Sequence, residues 1–237
     1  MIEPRDAATV MVVRDRHEAL EVLLLRRRDD LVFAAGAHVF PGGAVDDADR
    51  EPALAGVCTG LPTPPGPGLA YAVAAIRECF EESGLLLATT SAGEDLVVDD
   101  PDRAERLPLA RKALHAGERT MAEVCDEEGL VLATGSLAYA GRWITPHPSP
   151  RRYDTRFFLA AAPTAAAAQL AGHDEHETVA SEWMRPADAL DRWRAGAIDL
   201  IQPTVANLRA LAAHGSAASA LAAASAGCLA VEGAGDG

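Results

Sequence analysis

The sequence predicts an α/β domain, a mixed β-sheet covered by helices, and three observations carry that prediction. Residues 8–14 (ATVMVVR) and 20–26 (LEVLLLR) are short apolar runs rich in β-branched side chains, separated by a charged link, and read as neighbouring strands. Segments of helical period then alternate with further strand-like runs. The 237 residues are 49% hydrophobic and 24% charged, enough apolar material for one sizeable core and too much for a disordered chain.

Taken in order, the two opening strands form a hairpin. Residues 38–49 (HVFPGGAVDDAD) are a strand end running into a glycine turn. The next segment, residues 50–68, holds Pro52, Pro62, Pro64, Pro65 and Pro67, so it reads as a loop with no regular element. A helical pattern occupies 69–83, with Gly84 as its stop, and 85–88 (LLLA) reads as a strand. Residues 102–116 and 120–128 read as helices, the second opened by a Thr120 cap. Strand-like runs follow at 130–144 and 155–162, then an acidic loop at 172–183 and helices near 186–194 and 203–213. One domain is expected over 1–215. The Ala/Gly/Ser-rich tail, 216–237, is expected to be a frayed helix or disordered.

Charge narrows the function. With 21 Lys+Arg against 35 Asp+Glu, the formal charge is −14, which disfavours binding to a nucleic-acid polymer. A phosphorylated substrate would need a metal cation or a local arginine cluster. Cys58, Cys79, Cys125 and Cys228 form no closely spaced pair, so neither a zinc site nor a disulfide framework is expected. The first ten residues lack the apolar core of a signal peptide. The most apolar stretch, 157–172, is too short and too alanine-rich to span a membrane. A cytoplasmic protein is the expectation. Lys112 is the only lysine and alanine is abundant, a composition that suits a GC-rich, bacterial genome.

The informative segment is 72–87, AVAAIRECFEESGLLL. On a helix turning about 100° per residue, with Glu78 at zero, Glu81 falls near −60° and Glu82 near +40°. Val73, Ile76 and Phe80 lie on the opposite side as a core-facing stripe. Three carboxylates thus share the side that is not expected to pack. A solvated acidic face is the simple reading of such a trio. Like charges at i+3 and i+4 repel, however, by about 0.2–0.5 kcal/mol per pair. Arg77 alone compensates locally, at i,i+4 to Glu81, whereas a divalent cation would resolve the repulsion.

Arg77-Glu78-Cys79-Phe80-Glu81-Glu82-Ser83-Gly84-Leu85 resembles the second half of the Nudix box, REUXEEXGU with U apolar, and Phe40-Pro41-Gly42-Gly43 resembles the stretch that opens it. The first half departs from the family. Gly43 is followed after five residues by Asp49 in place of Glu, and 27 residues then separate Asp49 from Arg77. A Pro-rich insertion of about 20 residues inside the box accounts for this, with Asp46, Asp47 or Asp49 standing for the first acid. The resemblance implies the Nudix fold, a mixed sheet sandwiched between helices, with an extra helical segment at 102–128. It implies hydrolysis of a nucleoside diphosphate derivative with Mg²⁺ or Mn²⁺. Glu78, Glu81 and Glu82 would ligate the metal and Glu78 would take part in catalysis. Arg77 would orient the carboxylates, and Gly42 and Gly43 would let the backbone approach substrate. Glu177, with Glu175 and Glu182 as rivals, would supply a general base or further ligand from the acidic loop.

The remaining candidates are arginine and aromatic groups. Arg26, Arg27 and Arg28 end a strand, and Arg26 and Arg28 are taken as phosphate contacts; a solvated strand end is the other reading. Tyr153 and Arg156, within Pro150–Phe158, could hold adenine or phosphate, or could form a turn into a strand. His173 and His176 lack a third metal ligand, and Trp143, Trp183 and Trp193 read as packing residues. The interrupted box, Trp143-Ile144-Thr145-Pro146, Arg152–Phe158 and the 102–128 helices resemble the branch containing the mammalian type 19 Nudix protein, a coenzyme A diphosphatase. Gly36-X3-Phe40-Pro41-Gly42-Gly43 matches part of a coenzyme A-associated signature, although Val32 stands where arginine is expected. Coenzyme A is therefore the leading substrate. NADH, ADP-ribose or a nucleotide sugar is the alternative within the class, and a non-catalytic ligand sensor the alternative outside it. The resemblance also admits a homodimer.

Overall fold

The computed structural model describes residues 3–30, 34–62, 68–94, 96, 101–163, 178–229 and 231–233. The opening hairpin forms as expected: β1 (Arg5–Arg16) and β2 (Ala19–Arg27) pair antiparallel, with Val13 opposite Val22. His17 and Glu18 between them both have positive φ, 49° and 59°, the geometry of a two-residue turn whose twist matches the strands it joins.

These strands anchor an eight-stranded mixed sheet. Its main path runs β10 (Val231–Gly233), β7 (Ala138–Ile144), β8 (Tyr153–Ala161), β1, β2, β3 (His38–Val39). Off that path, β4 (Gly42–Ala44) pairs with β1, and β9 (Thr178–Met184) pairs with β2. β8 lies parallel to β1 and antiparallel to β7. A separate ladder joins β5 (Ala88–Thr90) to β6 (Leu130–Leu132).

Both faces of the sheet are covered, which explains why β1 and β2 read as unbroken apolar runs. Val10, Val12, Leu23 and Leu25 enter one core with Val73, Ile76 and Phe80 of α1 (Leu69–Ser83), Leu107 and Leu114 of α2 (Pro101–His115), and Met121 and Cys125 of α3 (Met121–Glu128). Met11, Val13, Val22 and Leu24 enter the other, with Leu190 of α4 (Pro186–Arg194), Leu208 and Leu211 of α5 (Gln202–Leu211), and Ala220 and Ala224 of α6 (Ala217–Ser225). Successive strand residues alternate between the two cores, as the two-residue period requires.

The structure corrects several expectations. Residues 50–68 are not devoid of regular structure. Tight 3-10 turns span Ala48–Arg50 and Pro52–Val57, where proline fixes φ at the first position and costs no needed donor. The strand expected at 85–88 starts only at Ala88, opposite Leu132; Leu85–Leu87 are buried ahead of it, and the Leu87 carbonyl accepts from the Ala133 amide at 3.0 Å. Residues 178–183, expected as loop, belong to β9.

The tail, expected as a frayed helix or disordered, forms a helix and adds a short strand. Ser216 accepts a hydrogen bond from the Ser219 amide and opens α6, the Ala217 amide donates to Asp15 Oδ1 at 2.8 Å, and β10 closes the sheet edge against β7. Small side chains make this packing close. A Cβ on Gly233 would enter the Trp143 ring. Low complexity here reflects tight packing.

Candidate functional site

Helix α1 carries the acids, and it is not half-solvated as its wheel suggests. Glu81 and Glu82 are buried along with Arg77, because the acidic side packs onto β4 and the turn that follows it. The two glycines of β4 allow that approach. A Cβ on Gly43 would collide with the Glu78 carboxylate, and one on Gly42 with Thr9 Oγ1 and the Ala8 carbonyl. The Gly42 amide donates to Glu82 Oε2 at 2.9 Å.

Arg77 is the hub. Its Nε and Nη2 donate to Asp49 Oδ1 and Oδ2 at 2.9 and 3.0 Å, and Nη2 also reaches the Ala44 carbonyl at 2.8 Å. Nη1 turns the other way, to Glu78 Oε1 at 3.0 Å and Glu81 at 3.3 and 3.4 Å. Of the three aspartates that could stand for the first acid, Asp49 makes the two-pronged pair; its side chain is 1% exposed. Asp46 lies 3.7 Å from Arg77 and is largely exposed.

The electrostatics follow from burial. Loss of water pushes the Glu78 carboxyl up to about 7; Arg77 opposes the shift and Glu81 adds to it. Glu81 moves upward for the same first reason, again against Arg77. Burial works against the Arg77 charge, but Asp49, Glu78 and Glu81 hold its proton more firmly than in water.

Glu78 and Glu82 open into a cleft of about 580 Å³. Glycines 42 and 43 form its base with Ala7, Thr9 and Ala44, and Phe40, Val39, Phe157 and Trp143 give it an apolar lining. Arg27, Arg151, Tyr153, Thr145 and the first turn of α5 complete it. Glu81 instead faces Arg77 and, at 3.9 Å, His115 Nδ1 of α2. Among the described residues no three His, Cys, Asp or Glu side chains are gathered as a ready metal site. The donor set still suits Mg²⁺ or Mn²⁺. Such ions commonly bind through one or two carboxylates and complete their shell with water and substrate phosphate. Two carboxylates share the cleft, and burial disfavours the charge on Glu78 unless a cation offsets it.

The other sequence candidates divide. Gly42, Gly43 and Tyr153 line the cleft. Arg26 pairs with Asp29 at 3.0 Å and Arg28 with Asp30 at 2.9 Å, on exposed side chains away from it. Arg27, not its neighbours, lines the cleft, at the point where the ladder to β9 shifts register. Arg156 pairs with Asp154 and stacks 5.0 Å over the Tyr71 ring. Glu182 sits on β9, where Arg192 holds it at 3.0 Å. Glu175, Glu177, His173 and His176 lie outside the described residues. Trp143, expected only to pack, also faces the cleft, while Trp183 and Trp193 pack against the two cores. Arg151 was passed over, though it stands in the basic-aromatic stretch that drew attention to Tyr153.

Comparison with known proteins agrees with this geometry. The NUDT19 Nudix domain model matches residues 60–211. The acyl-coenzyme A diphosphatase NUDT19 of Gallus gallus is 28% identical over 223 residues, 77% of this chain and 58% of its own length. The Homo sapiens protein of the same name is 28% identical over 234 residues, 82% and 61%. The chain thus spans about three-fifths of the curated relatives it matches. The crystal structure of a Nudix hydrolase from Alicyclobacillus acidocaldarius superposes with a TM-score of 0.77 at 32% identity, covering 94% of this chain and 97% of that one. With an intact REUXEEXGU helix lying on a glycine strand, the chain belongs to the Nudix hydrolase family, on its NUDT19 branch.

Proposed function

We propose that the chain is a metal-dependent pyrophosphohydrolase that cleaves the diphosphate of a nucleoside diphosphate derivative, with coenzyme A or its thioesters as substrate. The observation that carries this reading is the pairing, in one cleft, of two carboxylates with an aromatic and apolar lining and two arginines. The carboxylates suit a cation on the diphosphate, and the arginines suit further phosphate oxygens. Trp143, Tyr153 and Phe40 offer surfaces for a purine or an acyl-pantetheine arm. The names of the vertebrate relatives point to the same substrate.

In this reading Glu78 and Glu82 would hold Mg²⁺ or Mn²⁺ from the cleft, and Arg77, paired with Glu81 outside it, would fix their spacing. A cation held by these residues would supply charge neutralisation of the diphosphate and a more acidic water. Glu177, one residue before β9, takes the water's proton. Water oxygen bonds to one phosphorus, the bridging P–O bond breaks, and 3′,5′-ADP and 4′-phosphopantetheine, or its acyl form, leave.

The test is hydrolysis read by mass spectrometry with Mg²⁺ and with Mn²⁺, using coenzyme A, acetyl-coenzyme A, NADH, ADP-ribose and a nucleotide sugar. Appearance of 3′,5′-ADP supports the reading. Cleavage of another diphosphate replaces the substrate and keeps the chemistry. No cleavage of any member, with either ion, overturns the enzymatic reading in favour of a ligand sensor.

A further inference from the structure

We infer that α2 is a brace for the metal-site turn of α1, with Arg111 and His115 as positioning residues. The inference rests on the proposed cation site and adds a function for the helical segment beyond the box. Helix α1 ends at Ser83, and its stop, Gly84, takes the left-handed conformation at φ 75°. Glu81 and Glu82 therefore sit in the last turn, where backbone carbonyls lack helical partners and the helix is most prone to unwind. The Gly84 amide satisfies the Phe80 carbonyl. The next carbonyl, that of Glu81, is taken by a side chain from α2: Arg111 Nε donates to it at 2.8 Å. A cation at this end also opposes the negative pole of the helix.

One turn further along α2, His115 Nδ1 lies 3.9 Å from Glu81 Oε2. The same residue is thus held at its carbonyl by Arg111 and at its carboxylate by Arg77, with the His115 ring beside that carboxylate beyond direct hydrogen-bond reach. The brace is itself anchored. Glu128, the buried last residue of α3, receives Arg106 Nε at 2.9 Å, and its carbonyl accepts from Arg103 Nη2 at 3.2 Å. α3 in turn is closed by a full capping box at Thr120 and Glu123. Neither Arg111 nor His115 is among the cleft residues, so their influence passes through Glu81 and the backbone that carries it.

The experiment compares wild type with Arg111→Ala, Arg111→Lys, His115→Ala and Glu82→Gln by two measurements. The first is hydrogen exchange of the amides of residues 81–84 in metal-free protein. The second is Mn²⁺ binding by calorimetry without substrate. Arg111→Ala should speed exchange in that turn alone. Arg111→Ala and His115→Ala should each raise the Mn²⁺ dissociation constant about tenfold, the usual scale for a partner that orients a ligand. Arg111→Lys should restore much of both. If Glu82→Gln abolishes Mn²⁺ binding while the α2 variants keep wild-type affinity and exchange, the brace is wrong and the site stands. If Glu82→Gln binds Mn²⁺ like wild type, the site itself is wrong. Faster exchange throughout α1 and its core would reduce Arg111 to a general stabiliser and also overturn the inference.

Discussion

Replacing Asp49 with alanine should destabilise the metal-free protein by about 3–5 kcal/mol, the cost of breaking a buried ion pair from one side. The structure sets that figure. Asp49 accepts two hydrogen bonds from Arg77 and one from the Asp46 amide, and its side chain is 1% exposed. Alanine would leave two guanidinium donors facing no acceptor in a place water does not reach. Bonds to charged groups contribute about 1.5–3 kcal/mol each, and three of them, partly compensated by the Ala44 carbonyl and by Glu78, fall in the same range. Asparagine keeps the shape but turns an amide group toward Arg77, so its cost should be smaller. Glutamate keeps the charge but adds a methylene to a filled space, at about 1–3 kcal/mol. The assay is equilibrium unfolding in urea with EDTA present, comparing midpoints at constant slope. A double-mutant cycle with Arg77→Ala should return a coupling above about 2 kcal/mol. A loss below 1 kcal/mol for Asp49→Ala, or a coupling near zero, would refute the assignment of Asp49 as the acid that fixes Arg77.

Other expectations follow from the same geometry. Glu78→Gln and Glu82→Gln should each lower turnover at least a hundredfold without changing the circular dichroism spectrum; near-normal turnover in both would remove them from the site. Gly43→Ala should also cost most of the activity, since its methyl would displace the Glu78 carboxylate, and retention of full activity would contradict the close approach. The metal-free protein should lose stability as pH rises. Glu78 has a native value near 7 against an ordinary 4.5, so the folded state binds more protons between those limits. The cost of its charge is absent below pH 4.5 and fully felt above pH 7. Melting in EDTA should therefore show a downward trend over that window in wild type that is smaller in Glu78→Gln, where Glu81 still carries an upward shift; equal trends in the two proteins would reject the shift.

How much of this was legible depended on whether a feature is local. The helix at 69–83, its Gly84 stop and the Thr120 cap depend on nearby residues and were read correctly. So was the hairpin, expected at 8–14 and 20–26 and found at Arg5–Arg16 and Ala19–Arg27, whose strands are marked by their own apolar runs. Arg77, Glu78, Glu81 and Glu82 stand out in the sequence as a motif, yet their burial does not. A helical wheel assigns faces without knowing that a two-glycine strand will press against the acidic one. Asp49 could be named only as one of three aspartates, because its pairing with Arg77 crosses 28 residues of chain. Arg27 is set apart from Arg26 and Arg28 only in three dimensions, where the ladder to β9 shifts register and Arg27 alone of the three lines the cleft. The tail holds a helix, one of its two expected states, but packs more tightly than its composition suggests. Alanine and glycine look unstructured in sequence, but at Ala220, Ala224 and Gly233 they are the residues small enough to fit.

The central claim is that Glu78 and Glu82 open a cation site onto the glycine strand. The most direct test is a crystal of the full chain soaked in Mn²⁺, with diffraction recorded at the manganese absorption edge. The account predicts an anomalous peak within coordination distance of carboxylate oxygens of both Glu78 and Glu82, absent from a Glu82→Gln crystal treated alike. A well-occupied peak elsewhere with none at these two glutamates, or a peak that persists unchanged in the variant, would contradict it.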